Sequence, residues 1–218
     1  MSTEWLTLSG ETPVQTKPTR EVMAQWDSKA CAWGTGNLIE QSHVHLVNKA
    51  VRPVIENLTP NATILEIASG ANNLGYYPSA FNFERVFATD ISPKMLKYLR
   101  EKCSGIKTVI ADARDHLPFE EDSFDLALCF FGMRYFENQE DVVSELIRVV
   151  KPKGHICIVD YDNYVYNGPV CAFNANRLLE VVDSVGHLGF VHRLAGPSYG
   201  CEPALDFLEI TKNPAVLK

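Results

Sequence analysis

The chain has 218 residues, 46% of them hydrophobic and 22% charged, the make-up of a soluble globular protein long enough for one α/β domain with a sizeable core. Its net charge of −7 argues against nucleic acid as the main partner, no apolar run approaches the roughly 20 residues that cross a bilayer, and the first residues lack the pattern of a signal peptide. The six cysteines form no CxxC pair and the six histidines no HxxxH or HExxH, so the thiols read as reduced and mostly buried in a cytoplasmic protein with no metal site.

Residues 1–18 are polar, with Pro13 and Pro18, and read as an irregular arm. Residues 19–33 place Val22, Met23, Trp26, Ala30 and Trp33 near one helical face, and Gly34-Thr35-Gly36 is expected to break that helix. Asn37 with Glu40 forms a cap and capping box for a second helix carrying Val47, Val51, Val54 and Leu58, kinked at Pro53. Residues 1–60 are therefore an arm and helices, read either as a lid on the substrate side or as packing elements. Residues 61–218 are the core of what is one structural domain overall.

From Thr63 the pattern alternates strand and helix. Ile64, Leu65 and Ile67 form a buried strand that ends in the small-residue turn Ala68-Ser69-Gly70-Ala71, with a helix starting near Asn72 or Asn73. Strands follow at 85–90, 107–111, 124–131 and 155–160, and later ones near 189–195 and 204–211. Ser92-Pro93 opens one helix, residues 138–150 form another, Lys151-Pro-Lys-Gly154 turns the chain, and a last helix is expected at about 169–185. This order implies an α/β fold, a parallel sheet with right-handed crossovers and helices on both faces.

Ligands of such sheets bind at the carboxyl ends of the strands. Those ends carry Glu66–Gly70, Asp90-Ile91, Asp112-Ala113, Cys129–Gly132 and Asp160-Tyr161. Asp90, at the end of the second strand, suits a carboxylate accepting both hydroxyls of a ribose held over Gly70. That geometry is common to nicotinamide and S-adenosylmethionine enzymes. A dehydrogenase fingerprint needs glycine at Ala68, Gly70 and Asn73, and only Gly70 is present.

The ordered set of segments resembles the class I S-adenosylmethionine-dependent methyltransferases of the type 11 group over about residues 40–211. Glu66-Ile-Ala-Ser-Gly70 is similar to their first motif and Asp90-Ile-Ser-Pro-Lys-Met-Leu96 to their second-strand signature. Asp112-Ala-Arg-Asp-His-Leu-Pro-Phe119 is similar to the adenine segment, and Arg148-Val-Val-Lys-Pro-Lys-Gly154 to the turn before the fifth strand. Phe131-Gly-Met-Arg134 also resembles the quinone-biosynthesis C-methyltransferases. The turn departs from the family at Ala68 and Asn72, where glycine is usual; Ala68 is a mild change if its φ is negative. Lys153 replaces a glycine.

The resemblance implies a Rossmann-like, seven-stranded, mostly parallel sheet with helices on both faces, the last strand antiparallel and an N-terminal helical lid, and it implies S-adenosyl-L-methionine as cofactor. It brings Ala68, Ser69, Gly70 and Ala71 to the methionine portion, Asp90 to the ribose and Ile91 to the adenine face. Asp112 and Ala113 would meet the adenine edge, Cys129 and Phe130 the region of the sulfur, and Glu66 the turn or the cofactor amine. A base is needed only for a poorly ionised acceptor; Tyr135, Arg134 and Tyr161 are candidates, with His43 or His45 behind them. Arg134 suits an anionic acceptor. Trp26, Trp33, Phe130, Phe131, Tyr135, Tyr164 and Tyr166 are available to wall a planar one. The small substrate side favours a small-molecule acceptor methylated at O, N or C. A non-catalytic cofactor-binding regulatory protein of the same fold is the alternative, and nothing in the sequence fixes the oligomeric state.

Overall fold

The computed structural model describes residues 19–35, 41–71, 77, 82–162, 171–194 and 205–214. Seven strands form one sheet: β1 (Ile64–Glu66), β2 (Val86–Asp90), β3 (Lys107–Ile110), β4 (Phe124–Phe130), β5 (Val150–Tyr161), β6 (Leu188–Leu194) and β7 (Leu205–Thr211). Their order is β3-β2-β1-β4-β5-β7-β6; the first five are parallel, and β7 runs antiparallel to both neighbours. The expected sheet is therefore present. Winding reverses at β1, between β2 and β4, and such a reversal opens a crevice at the carboxyl ends of those strands.

Among the described residues five α-helices accompany the sheet: α1 (Thr19–Thr35), α2 (Gln41–Glu56), α3 (Pro93–Lys102), α4 (Gln139–Val149) and α5 (Ala175–Ser184). The central strands are buried on both faces, which is why they read as continuous apolar runs. On one face Leu65, Ile67, Ala127, Ile156 and Ile158 meet α4 and α5 through Val143, Leu146, Leu178 and Val182. On the other, Ile64, Val86, Ala88, Leu128 and Val159 meet α2 and α3 through Val47, Val51, Leu96 and Leu99. The two N-terminal helices thus differ. α2 is core, whereas α1 packs on α3 in a separate cluster of Ala30, Met95 and Ala71 with Trp26, Trp33 and Tyr98 around it.

Three boundaries differ from expectation. α1 continues through Gly34 because that glycine is a contact and not a breaker: a Cβ there would lie 2.4 Å from the ring of Tyr98 on α3. α5 begins at Ala175, where the Asn174 side chain accepts the N–H of Arg177, while Phe173 before it bridges Asp162 in extended form. β5 starts at Val150, ahead of the expected turn, and the register slips between Phe124↔Val150 and Leu126↔His155. Lys153 in that slip has φ +68°, so it occupies a backbone conformation that favours glycine. The Asn37–Glu40 capping pair and the helix start near Asn72 lie outside the described residues.

Candidate functional site

After β1 the chain reverses sharply. The N–H of Ile67 still donates to Leu128 O at 3.0 Å on β4, but that of Ser69 donates to Thr89 O at 3.0 Å on β2. The reversal puts Ala68 at φ +48° and Gly70 at φ +57°. Ala68 is therefore not in the negative-φ conformation that would make it a mild replacement for glycine; left-handed backbone costs an alanine about 1–2 kcal/mol. Its methyl group fits because glycine stands opposite: a Cβ on Gly132 would lie 2.7 Å from Ala68 Cβ and 3.0 Å from Cys129 Sγ. Gly70 is different again, since a Cβ there would meet nothing within 4 Å. It faces an open pocket of about 1120 Å³, mouth included, at the carboxyl ends of the strands.

Asp90 organises the near wall of that pocket. Its Oδ2 accepts the N–H of Gly70 at 2.9 Å and its Oδ1 that of Ser92 at 2.8 Å. Burial pushes its carboxyl up to about 6, against the pull of those two N–H groups. Ile91 lies beside it in the wall. Next to them, from the β3 end, come Asp112 and Ala113. Asp112 is already engaged. Arg114 donates to it from its backbone N–H at 3.1 Å, from Nε at 2.9 Å and from Nη2 at 2.6 Å, and Thr19 of α1 donates its hydroxyl at 3.0 Å. Burial opposes ionisation of Asp112, but the hydrogen bonds and charge of Arg114 outweigh it and hold the carboxyl below its usual value.

The far wall is aromatic, with one cation. Phe130, Phe131, Tyr135 and Tyr161 line it together with Trp26 and Trp33 of α1 and Arg134. The Arg134 guanidinium stands 4.3 Å from the Tyr161 ring centroid, 5.6 Å from that of Tyr135 and 6.0 Å from that of Phe131. Asp160, fully buried, supports it: Oδ2 accepts the Arg134 backbone N–H at 3.1 Å, and Oδ1 accepts that of Tyr161 at 2.8 Å and lies 3.4 Å from Arg134 Nε. Trp26 meets Tyr135 edge to face at 4.7 Å. Burial raises the Tyr135 hydroxyl above its ordinary value, partly offset by the Arg134 charge.

Of the expected cofactor residues, Ala68, Gly70, Asp90, Ile91, Asp112, Ala113 and Phe130 share this one pocket, as do the expected catalytic candidates Arg134, Tyr135 and Tyr161. Four others do not line it. Ser69 and Ala71 are fully buried behind the turn, the Ser69 hydroxyl with no partner among the described residues. Cys129 points to the α4 side of the sheet, because strand alternation sends it opposite Phe130. Glu66 is buried and accepts the Tyr77 hydroxyl at 2.6 Å. His45 is exposed on α2 and outside the wall, while the side chain of His43, and Tyr164 and Tyr166 altogether, lie outside the described residues. Tyr77, Thr19, Arg114 and Asp160 went unseen as site residues in the sequence. Asp160 alone gave a signal there, as an acid at a strand end. Among the described residues no cluster of His, Cys, Asp or Glu could hold a metal, and no helix is long and apolar enough to cross a membrane.

Two acids at adjacent strand ends, apolar lining that includes Ile91 and Phe130, and an unobstructed glycine suit a ligand with vicinal hydroxyls and a planar base. S-adenosylmethionine has both. Residues 65–158 match the family described as methyltransferase domain. The chain is 28% identical over 153 residues to a ubiquinone/menaquinone biosynthesis C-methyltransferase UbiE of Cupriavidus pinatubonensis, covering 67% of this chain and 63% of the relative. It is 27% identical over 193 residues to one of Burkholderia mallei, covering 82% and 79%. Magnesium protoporphyrin IX methyltransferase from Synechocystis PCC 6803, solved with bound SAH, superposes with a TM-score of 0.67 at 12% identity, over 90% of this chain and all of that one.

Proposed function

We propose that this chain, a class I S-adenosylmethionine-dependent methyltransferase that takes S-adenosyl-L-methionine as its cofactor, methylates a small planar acceptor that binds as an anion on Arg134. The observation that carries this reading is the continuity of the pocket: one cavity runs from Asp90 and Asp112 to the aromatic wall around Arg134.

In this reading Asp90 accepts the ribose hydroxyls and Ile91 packs on the base. Asp112 accepts the adenine amino group where the rotatable Thr19 hydroxyl now sits. The cofactor supplies an electrophilic methyl group on a sulfonium. The work of the chain is alignment and exclusion of water. Phe131, Tyr135, Tyr161 and Trp26 wall the acceptor end, and Arg134, braced by Asp160, offers its charge there. The raised Tyr135 hydroxyl stays protonated at neutral pH, so it donates a hydrogen bond and is not the base. Among the described residues no histidine lines the pocket, and both acids of the near wall are hydrogen-bonded. An acceptor that arrives ionised, such as a phenolate or an enolate, needs no base from the protein. The relatives' designation as C-methyltransferases favours transfer to a carbon made electron-rich by such an oxygen.

The test is incubation with methyl-labelled S-adenosylmethionine and a small-molecule cell extract, fractionated by anion exchange and read by mass spectrometry. Label is expected in a low-mass anionic fraction and lost in Arg134→Gln. Label confined to macromolecules, or tight cofactor binding with no transfer at all, refutes the reading, the latter in favour of a regulatory protein.

A further inference from the structure

α1 crosses the pocket and touches each part of it. Its first residue, Thr19, reaches Asp112; Val22, Trp26 and Trp33 line the cavity; Trp26 meets Tyr135 at the acceptor end. Its underside packs Ala30 on Met95 and on Ala71 of the turn after β1. Most of these contacts are apolar or ring against ring, apart from the Thr19 hydroxyl on Asp112. A further polar contact lies outside the pocket. Asp27, in the middle of α1 and not in the pocket wall, accepts the Ser92 hydroxyl at 2.6 Å, and its Oδ1 lies 3.3 Å from the N–H of Lys94 in the first turn of α3.

Ser92 is fully buried and ties several groups together. Its hydroxyl donates to Asp27, the same oxygen accepts the Met95 N–H at 3.1 Å as the cap of α3, and its backbone N–H donates to Asp90 Oδ1 at 2.8 Å. The acid assigned to the ribose and the acid of the covering helix are therefore joined through one residue. A short hydrogen bond to a carboxylate at a helix N-terminus, partly shielded from water, is among the stronger polar contacts available.

We infer that Asp27 is a positioning residue: its bond to Ser92 latches α1 over the cofactor and sets how long the cofactor stays. The inference rests on the cofactor reading above. Asp27 is neither a lining residue of the pocket nor part of the sheet core, so its loss frees α1 without removing a wall residue; its charge also helps to raise the Asp90 carboxyl. Asp90 keeps its bond to Ser92, and Ser92 keeps its cap. α1 also carries Trp26, so release of the latch loosens the acceptor wall together with the cofactor cover.

The experiment is stopped-flow tryptophan fluorescence with S-adenosylhomocysteine, using Trp26 and Trp33 of α1 as reporters, on the full chain and on Asp27→Ala and Asp27→Asn. Dissociation is expected to quicken about tenfold in Asp27→Ala, the factor for losing roughly 1.4 kcal/mol, with association within about threefold. Asp27→Asn, which retains an acceptor for the Ser92 hydroxyl, is expected to fall between Asp27→Ala and the unaltered chain. Hydrogen exchange of the free proteins is the second readout: α1 amides exchange faster in Asp27→Ala while those of β1, β4 and β5 do not change. A dissociation rate unchanged in Asp27→Ala overturns the latch, whether or not α1 exchanges faster. A loss of protection in the sheet together with α1 also overturns it, because the residue then supports the whole fold. Failure of the unaltered chain to bind S-adenosylhomocysteine removes the cofactor reading itself, an outcome distinct from an unchanged rate.

Discussion

Replacing Asp90 by asparagine should make the free protein more stable and a poorer binder, and pH separates the two effects. The buried carboxyl of Asp90 titrates at about 6, against an ordinary value of 3.8, because burial opposes its charge more than the Gly70 and Ser92 N–H groups favour it. The unfolded chain loses this proton near its ordinary value and the folded chain near 6. Between the two the folded state holds a proton that the unfolded state lacks, so stability falls as pH rises through that window and stays low above it. The difference of about two units corresponds to about 3 kcal/mol. Asparagine removes the charge but can accept from only one of the two N–H groups, which costs about 1 kcal/mol. In urea unfolding the variant should gain about 2 kcal/mol at pH 8 and gain nothing, or lose about 1, near pH 4. Binding should move the other way. Calorimetry with S-adenosylhomocysteine should find affinity lower by about 10–100-fold in Asp90→Asn, from the loss of the charge-assisted bonds to the hydroxyls that the proposed reading gives Asp90. On the ribose assignment proposed above, affinity of the unaltered chain should weaken about tenfold per pH unit below about 6, since the proton would have to leave before the hydroxyls bind. A stability difference that is equal at pH 4 and pH 8 refutes a buried, ionised Asp90.

Two further outcomes test the walls of the site. Gly132→Ala should cost about 1–3 kcal/mol through overpacking against Ala68 and Cys129, and less when made together with Ala68→Gly; additive losses in thermal melts refute that contact. Arg134→Met leaves Asp160 buried without its cation, and should cost about 3 kcal/mol or more at pH 8. Burial already raises Asp160 against the Arg134 charge, and removing Arg134 raises it further. The deficit should therefore shrink as pH falls and the carboxyl takes up its proton; equal urea-unfolding losses at pH 5 and pH 8 refute the pairing.

Much of this molecule is legible along the chain because its information is local. Ile64–Ile67 and Phe124–Phe130 are apolar runs that only a doubly covered strand explains, and Ser92-Pro93 announces a helix that does begin at Pro93. The acids Asp90 and Asp112 follow directly from where β2 and β3 end. Tertiary structure alone decided the relations across space. Gly34 reads as a helix breaker until the Tyr98 ring is set against it, and Ala68 reads as a mild departure until its φ and its glycine partner Gly132 are known. Strand alternation turned Cys129 away while Phe130 stayed, and Glu66 took the hydroxyl of Tyr77. The sequence left the two N-terminal helices open between lid and packing elements; in the fold α2 is buried against the sheet and α1 lines the pocket. The bond from Asp27 to Ser92 spans 65 positions. Apolar periodicity fixes which elements form and which faces they bury. It carries no record of which polar groups meet once they pack, because each of those pairs is made by chain segments brought together only by the fold.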